Sequence, residues 1–238
     1  MKNLQEILYK VATESVLGST HIKISSISTD SRTNKKGSLY IAKKGISLDG
    51  HDYINNAIKN GAKAIVCNKL PKSVIEGITY VIVNNSVKAL GILASNFYDN
   101  PSEKLSLIGI TGTNGKTSVA YFLYQLFSAH FLKCGLLSTI KIKYKDQEFQ
   151  NDHTTPDVIT TNHLLCHMVK EGINFCFMEV SSHGIDQDRV YGLSFKGGIF
   201  TNLTHDHLDY HGNFKNYRDT KKQFFDNLPK TAFALTNI

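Results

Sequence analysis

The chain has 238 residues, enough for two modest domains with a core in each. It carries 27 basic against 20 acidic residues, a formal charge of +7, but lysine is scattered with no arginine-rich run or basic–aromatic repeat. This balance suits anionic small substrates and argues against a nucleic-acid partner. Four cysteines without a Cys-x-x-Cys pair, no signal-peptide core and no apolar run of spanning length predict a cytoplasmic protein with no disulfide framework and no membrane partner.

Residues 1–98 read as a small α/β unit. Leu4, Ile7 and Leu8 open it with a short helix, and 22–27 alternates like a strand. Thr29-Asp30-Ser31-Arg32 and a turn at Lys35-Lys36-Gly37 precede a second strand over 38–42. After a loop over 45–50, Tyr53, Ile54, Ala57 and Ile58 mark a helix that Gly61 ends. Strands follow over 64–67 and 80–83, and Val87, Leu90, Leu93, Ala94 and Phe97 give a further helix. Asp99-Asn100-Pro101-Ser102 breaks the pattern and predicts a boundary between a domain 1–100 and a domain 101–238.

The second domain starts with an apolar run, 105–110, that reads as a buried strand. It leads into Gly112-Thr113-Asn114-Gly115-Lys116-Thr117-Ser118 and then a helix-period pattern of Val119, Phe122, Leu123, Leu126 and Phe127. Strand, glycine-rich turn, Lys-Thr and helix is the layout of a phosphate-binding loop. Backbone N–H groups and the helix N-terminus would cradle a polyphosphate, Lys116 would reach the β- and γ-phosphates, and Thr117 would hold Mg²⁺. The glycines fall at 109, 112 and 115, and Ile110 stands where the general pattern has its first glycine.

Beyond the loop, 134–140 reads as a strand and 142–150 as an edge hairpin or loop. Thr155 is placed as an N-cap with Pro156 at the first helical position, ahead of a helix carrying Val158, Thr161, Leu165 and Met168 and ended by Gly172. His163 and His167, lacking a metalloprotease pattern, read as ordinary residues of that helix. The stretch 173–180, apolar on both alternating faces, is a strand covered on two sides, and 198–203 is another. Alternating strands and helices predict a doubly wound, mostly parallel sheet, with ligands beyond the carboxyl ends of its strands.

Four clusters could carry chemistry. Glu179, at the end of a buried strand, is either paired to a lysine or a ligand for Mg²⁺. Three histidines and two aspartates fall within 205–211; they are either a solvated loop or metal ligands of a hydrolase, though Tyr210 spoils the hydrolase spacing. On the last helix, 213–228, Lys221 lies inside the apolar stripe of Phe214, Tyr217, Phe224, Phe225 and Leu228. It is either a snorkelling stem or an amine kept neutral and reactive by burial. Thr154 and Thr155 either cap a helix or bind an anion, and Arg189, near Gln187, offers a two-pronged donor to an anionic substrate.

In order along the chain, Thr29 to Arg32, Gly109 to Ser118, Thr154-Thr155-Pro156, Met178 to Gly184, Gln187 to Val190 and Thr201 to Gly212 resemble the UDP-N-acetylmuramoyl-tripeptide synthetase branch of the Mur ligase family. The resemblance implies an ATP-dependent amide ligase of peptidoglycan synthesis. Such an enzyme joins a diamino acid, meso-diaminopimelate or L-lysine, to UDP-N-acetylmuramoyl-L-alanyl-D-glutamate through an acyl phosphate. It implies two Mg²⁺ sites served by Thr117, Glu179, His207 and Lys221, with Lys221 carrying a carbamate from CO₂. Ser31 and the loop Ile46-Ser47-Leu48 match the uridine-nucleotide region. Thr154, Thr155, Ser181, Gln187 and Arg189 match positions that hold the muramoyl dipeptide. His153 stands where some relatives carry Asn, and Thr29 where some carry Leu. The family has a further C-terminal domain, so the expected coverage is an N-terminal and partial central domain. The alternatives are an inactive, substrate-binding fragment in need of its missing C-terminal half and, more remotely, a metal-dependent hydrolase.

Overall fold

Alternating β-branched and aromatic residues build a five-stranded and a seven-stranded sheet, beside a small two-stranded one, in the computed structural model, which describes residues 1–45, 48–150 and 154–237. Each sheet belongs to one of two units, Met1–Asp99 and Asn100–Ile238. Ile46, Ser47 and His153, singled out above, lie outside the described residues.

The first unit runs β1 (Lys2–Asn3), α1 (Leu4–Ile7), β2 (Thr13–Leu17), β3 (Lys23–Ile24), β4 (Ile27–Ser28), β5 (Ser38–Ile41), α2 (Ile54–Lys59), β6 (Ala62–Cys67), β7 (Thr79–Val83) and α3 (Ser86–Phe97). Its five-stranded sheet has the order β2-β7-β6-β5-β4, parallel except where β2 joins β7. Tyr40, Ile54, Ala57, Ile65 and Tyr80 form its core. The single strand expected over 22–27 is two strands with different partners. β3 pairs with β1, β4 pairs with β5, and between them Ser25 binds the turn at Lys36 and Gly37. β2 escaped sequence reading because all five of its residues are exposed, so no alternation marks it.

The second unit runs β8 (Ser106–Thr111), α4 (Lys116–Ala129), β9 (Cys134–Leu137), β10 (Ile142–Tyr144), β11 (Gln147–Phe149), α5 (Val158–Lys170), β12 (Phe175–Glu179), α6 (Ser182–Asp186), β13 (Gly197–Phe200), α7 (Leu208–His211), α8 (Phe214–Asp226) and β14 (Phe233–Thr236). The sheet order is β11-β10-β9-β12-β8-β13-β14; β9, β12, β8, β13 and β14 are parallel, and the β10–β11 hairpin closes one edge antiparallel.

Alternation along the central strands supplies both faces of this sheet. Ile108, Ile110 and Phe177 pack with α4 through Ala120 and Tyr124. Leu107, Cys176 and Met178 pack on the other side with Leu165 and Met168 of α5 and Phe224 of α8. Gly109 permits α8 to approach, since a Cβ there would lie 2.4 Å from the Phe224 ring.

Two local expectations are corrected. On α4, Val119, Leu123 and Phe127 of the expected face pack against the sheet beside buried Ala120 and Tyr124, whereas Phe122 and Leu126 are 65% and 54% exposed. The N-cap of α5 is Asp157, not Thr155; its carboxylate accepts from the amides of Ile159 and Thr160. The Thr155 hydroxyl is engaged across the sheet instead. His163 and His167 sit on the exposed side of α5, ring nitrogen to ring nitrogen at 3.1 Å.

Candidate active site

Four adjacent parallel strands deliver their carboxyl ends to one region: β9 leads to Thr139, β12 to Glu179 and Ser181, β8 to the glycine loop, and β13 to Thr201 and Asn202. Gly112 has a φ of +148°, and a Cβ there would lie 2.0 Å from the Thr201 hydroxyl; Gly115 caps α4 at a φ of +83°. The loop is braced from β13. The Thr113 amide donates to the Asn202 carbonyl at 2.8 Å, the Asn114 amide donates to Asn202 Oδ1 at 3.0 Å, and the Thr201 hydroxyl donates to the Asn114 carbonyl at 2.7 Å. Thr113 Oγ1 also shares a hydrogen bond with the Tyr217 hydroxyl at 3.0 Å.

Lys116 opens α4 and folds back over the loop, donating to the carbonyls of Gly112 at 3.0 Å and Thr113 at 2.7 Å. Burial pulls its pKa below the ordinary lysine value, against the opposing charges of Glu179 and Asp206. Glu179 is fully buried, and the donors it meets are neutral. Thr117 Oγ1 donates to its Oε2 at 2.9 Å, and Thr139 donates through its amide to Oε1 at 2.8 Å and its hydroxyl to Oε2 at 3.1 Å. Thr117 and Glu179 thus present hard oxygen donors side by side at the helix start, a set that suits Mg²⁺.

Lys221 is 3% exposed on α8 and reaches the same Gly112 carbonyl as Lys116, at 2.9 Å, with its amine 4.7 Å from the centre of the Tyr217 ring. Burial first, and then the neighbouring Lys116, push its pKa down to about 7, while Asp206 opposes them. An amine shifted this way gives up its proton more readily than an ordinary lysine. As an amine it is no ligand for Mg²⁺; only a carbamate would give it an oxygen donor.

The His-rich segment does not converge on one point. His207 begins α7 with a φ of +51° and sets its exposed ring against His183 and Tyr217. His205 packs on Phe214. His211 is buried against Tyr217, and burial lowers its pKa and that of His183. Among the described residues, no three His, Cys, Asp or Glu side chains gather closely enough to hold a metal ion. His207 and the Lys221 amine both approach the Tyr217 ring.

A third group lies on the α6 side. Thr155 Oγ1 donates to the Glu179 carbonyl at 3.1 Å, accepts from the Ser181 amide at 3.0 Å and lies 3.1 Å from Ser181 Oγ. Ser181 caps α6 by accepting from the Gly184 amide. Arg189 donates to the Thr155 carbonyl and to the Gln187 side chain. The structure therefore brings Thr155, Ser181, Gln187 and Arg189 together, with half-buried Thr154 next in the chain. In the first unit, Ser31 is 5% exposed and lines a cavity of about 410 Å³ with Asp30, Arg32, Lys43, Leu48 and Tyr53. Sequence reasoning did not single out Thr139, Asn202 or Tyr217. Asn202 and Tyr217 lay inside noted stretches, but Thr139 gave no signal, because the amide it offers Glu179 is a backbone group that no residue type marks.

A buried parallel strand running into a glycine loop, Lys-Thr at a helix start and a fully buried carboxylate beside that threonine define a phosphate-loop α/β protein. The family description "Mur ligase middle domain" matches residues 110–238, more than half of the chain, and "Mur ligase family, catalytic domain" matches residues 23–98. The chain belongs to the Mur ligase family.

It is similar to proteins named UDP-N-acetylmuramoyl-L-alanyl-D-glutamate--2,6-diaminopimelate ligase. One, from Cytophaga hutchinsonii, is 51% identical over 237 residues, covering 98% of this chain and 48% of the relative. Another, from Phocaeicola vulgatus, is 49% identical over 235 residues, covering 99% of this chain and 49% of the relative. A solved structure of a protein of that name superposes with a TM-score of 0.79 at 22% identity, over 99% of this chain and 52% of the other. The chain spans about half the length of the curated relatives it matches. Among the described residues, no helix is long and apolar enough to cross a membrane.

Proposed function

We propose that this chain forms the nucleotide- and muramoyl-binding part of a cytoplasmic, ATP-dependent ligase. The ligase adds 2,6-diaminopimelate to UDP-N-acetylmuramoyl-L-alanyl-D-glutamate. The observation that carries this reading is the meeting of Lys116, Thr117, Glu179 and Lys221 around the Gly112–Thr117 loop. The diamino acid is taken from the names of the relatives; lysine was the other expectation.

In this reading the loop amides and Lys116 hold the ATP phosphates, and a phosphate entering the loop competes with the Gly112 and Thr113 carbonyls for the Lys116 ammonium. The terminal carboxylate of the substrate attacks the γ-phosphorus, ADP leaves, and the amine of the diamino acid displaces phosphate from the acyl phosphate. Lys116 neutralises charge that builds on the transferred group, and positioning does the rest. Mg²⁺ would be held by Thr117 and Glu179, and a second ion by His207 and a Lys221 carbamate; it would supply neutralisation of phosphate charge. Ser31 and the cavity around it would receive the uridine nucleotide. Thr154, Thr155, Ser181, Gln187 and Arg189 would hold the dipeptide, with Arg189 on a carboxylate.

The test is thermal melting of the purified chain with the UDP-muramoyl dipeptide. The expected result is a rise in Tm that Arg189→Ala reduces; no rise with the wild-type chain overturns the reading. Phosphate release that needs ATP, dipeptide and diaminopimelate together would show that this length of chain also completes the reaction.

A further inference from the structure

The Arg189 guanidinium is held by a chain of hydrogen bonds whose polarity is set link by link. Gln187 Oε1 accepts from Arg189 Nε at 3.1 Å and from Nη2 at 2.7 Å. An amide oxygen that takes both donors turns its NH₂ end the other way, and that end donates to the Tyr210 hydroxyl at 3.2 Å. The hydroxyl has one proton and donates it to Asp186 Oδ2 at 2.8 Å. Donation therefore runs in one direction, from cation to carboxylate: Arg189, Gln187, Tyr210, Asp186. Such chains polarise one another, and no member can be reversed alone.

Arg189 Nη1 is tied separately, to the Thr155 carbonyl at 2.8 Å. One N–H on each terminal nitrogen is then left for an anion, in a plane that Gln187 and Thr155 fix between them. The Tyr210 ring lies 4.1 Å from that of His183, and Tyr210 belongs to α7, the short helix that His207 begins.

We propose that Tyr210 and Asp186 are positioning residues for Arg189. By anchoring the far end of the Gln187 amide, they hold the guanidinium in place and aim its two remaining donors at a carboxylate of the muramoyl peptide. The proposal rests on the reading of Arg189 as a ligand for that substrate. Without the Tyr210 hydroxyl, the Gln187 NH₂ loses its acceptor, and the amide is held at its Arg189 end alone, free to swing with the guanidinium.

The test is a double-mutant cycle read by calorimetric titration of the UDP-muramoyl dipeptide, with Mg·ADP titrated into the same proteins as a control. Tyr210→Phe should weaken dipeptide binding about tenfold in the wild-type background and less than about twofold in an Arg189→Ala background. Mg·ADP affinity should stay within about twofold throughout. Equal losses in both backgrounds, or no loss in either, overturn the proposal while leaving the functional reading intact. A wild-type chain that does not bind the dipeptide overturns that reading and this proposal with it. A ligand-free measurement stands apart from both: the Arg189 Nε–H resonance should exchange slowly with water in the wild type and rapidly in Tyr210→Phe. Unchanged exchange contradicts the proposal.

Discussion

At the scale of single residues, the site is built on two ionisable groups removed from water. Lys221 is the first. Folding lowers its pKa to about 7, whereas an unfolded lysine titrates at about 10.4. Between those values the unfolded chain binds more protons than the folded one, so this group's contribution to stability rises with pH across that window and is poorest below about pH 7. Lys221→Met keeps an unbranched stem and removes the buried charge. In CO₂-free buffer it should raise Tm below about pH 7, with the gain fading toward about pH 10. A gain of the same size at both pH values would contradict the assignment. In ¹³C-labelled bicarbonate, a carbamate carbon signal should be present in the wild type and missing from Lys221→Met.

Glu179 is the second such group. Glu179→Ala strands the donors of Thr117 and Thr139 and should cost about 1–3 kcal/mol in urea unfolding. Glu179→Gln should fold nearly as well yet lose the Mg²⁺ dependence of nucleotide binding. Both positions were legible in sequence, one as a lysine inside an apolar stripe and the other as a carboxylate ending an apolar strand. Their partners were not. Lys221 meets Gly112 across 109 positions of chain, and Glu179 meets a backbone amide that carries no sequence mark.

At the scale of elements, periodicity located most helices and strands, and the misses have physical causes. Thr155 has the composition of an N-cap and follows the rule for Pro at the next position. A better cap, Asp157, stands two residues on, and the hydroxyl of Thr155 is worth more bridging Glu179 and Ser181. Asp157→Ala should therefore cost about 1 kcal/mol in urea unfolding and leave ligand binding unchanged. Thr155→Val should weaken dipeptide binding; a Thr155→Val protein with full affinity would confine this residue to bracing Glu179 and Ser181. On α4, Val119, Leu123 and Phe127 of the five expected apolar residues pack on the sheet, but in place of Phe122 and Leu126 the buried face is completed by small Ala120 and amphipathic Tyr124. Hydropathy alone under-weights both. β2 shows the converse, a strand held by backbone pairing to β7 with no buried side chain to announce it.

At the scale of the whole molecule, two sheets each carry their own candidate site: the cavity around Ser31 in the first unit and the phosphate loop in the second. The second follows from topology. In a parallel sheet every strand points its carboxyl end the same way, so β9, β12, β8 and β13 deliver Thr139, Glu179, Lys116 and Asn202 to one side. A net charge of +7 favours the approach of anionic substrates to such a chain and loses its effect as salt rises. The most direct test of the central claim is calorimetric titration of a non-hydrolysable Mg·ATP analogue into the wild-type chain and into Lys116→Ala. The account predicts saturable one-to-one binding by the wild type and a loss of at least about tenfold, roughly 1.4 kcal/mol, in the variant. Equal affinity in the two proteins, or no binding by the wild type, would contradict it.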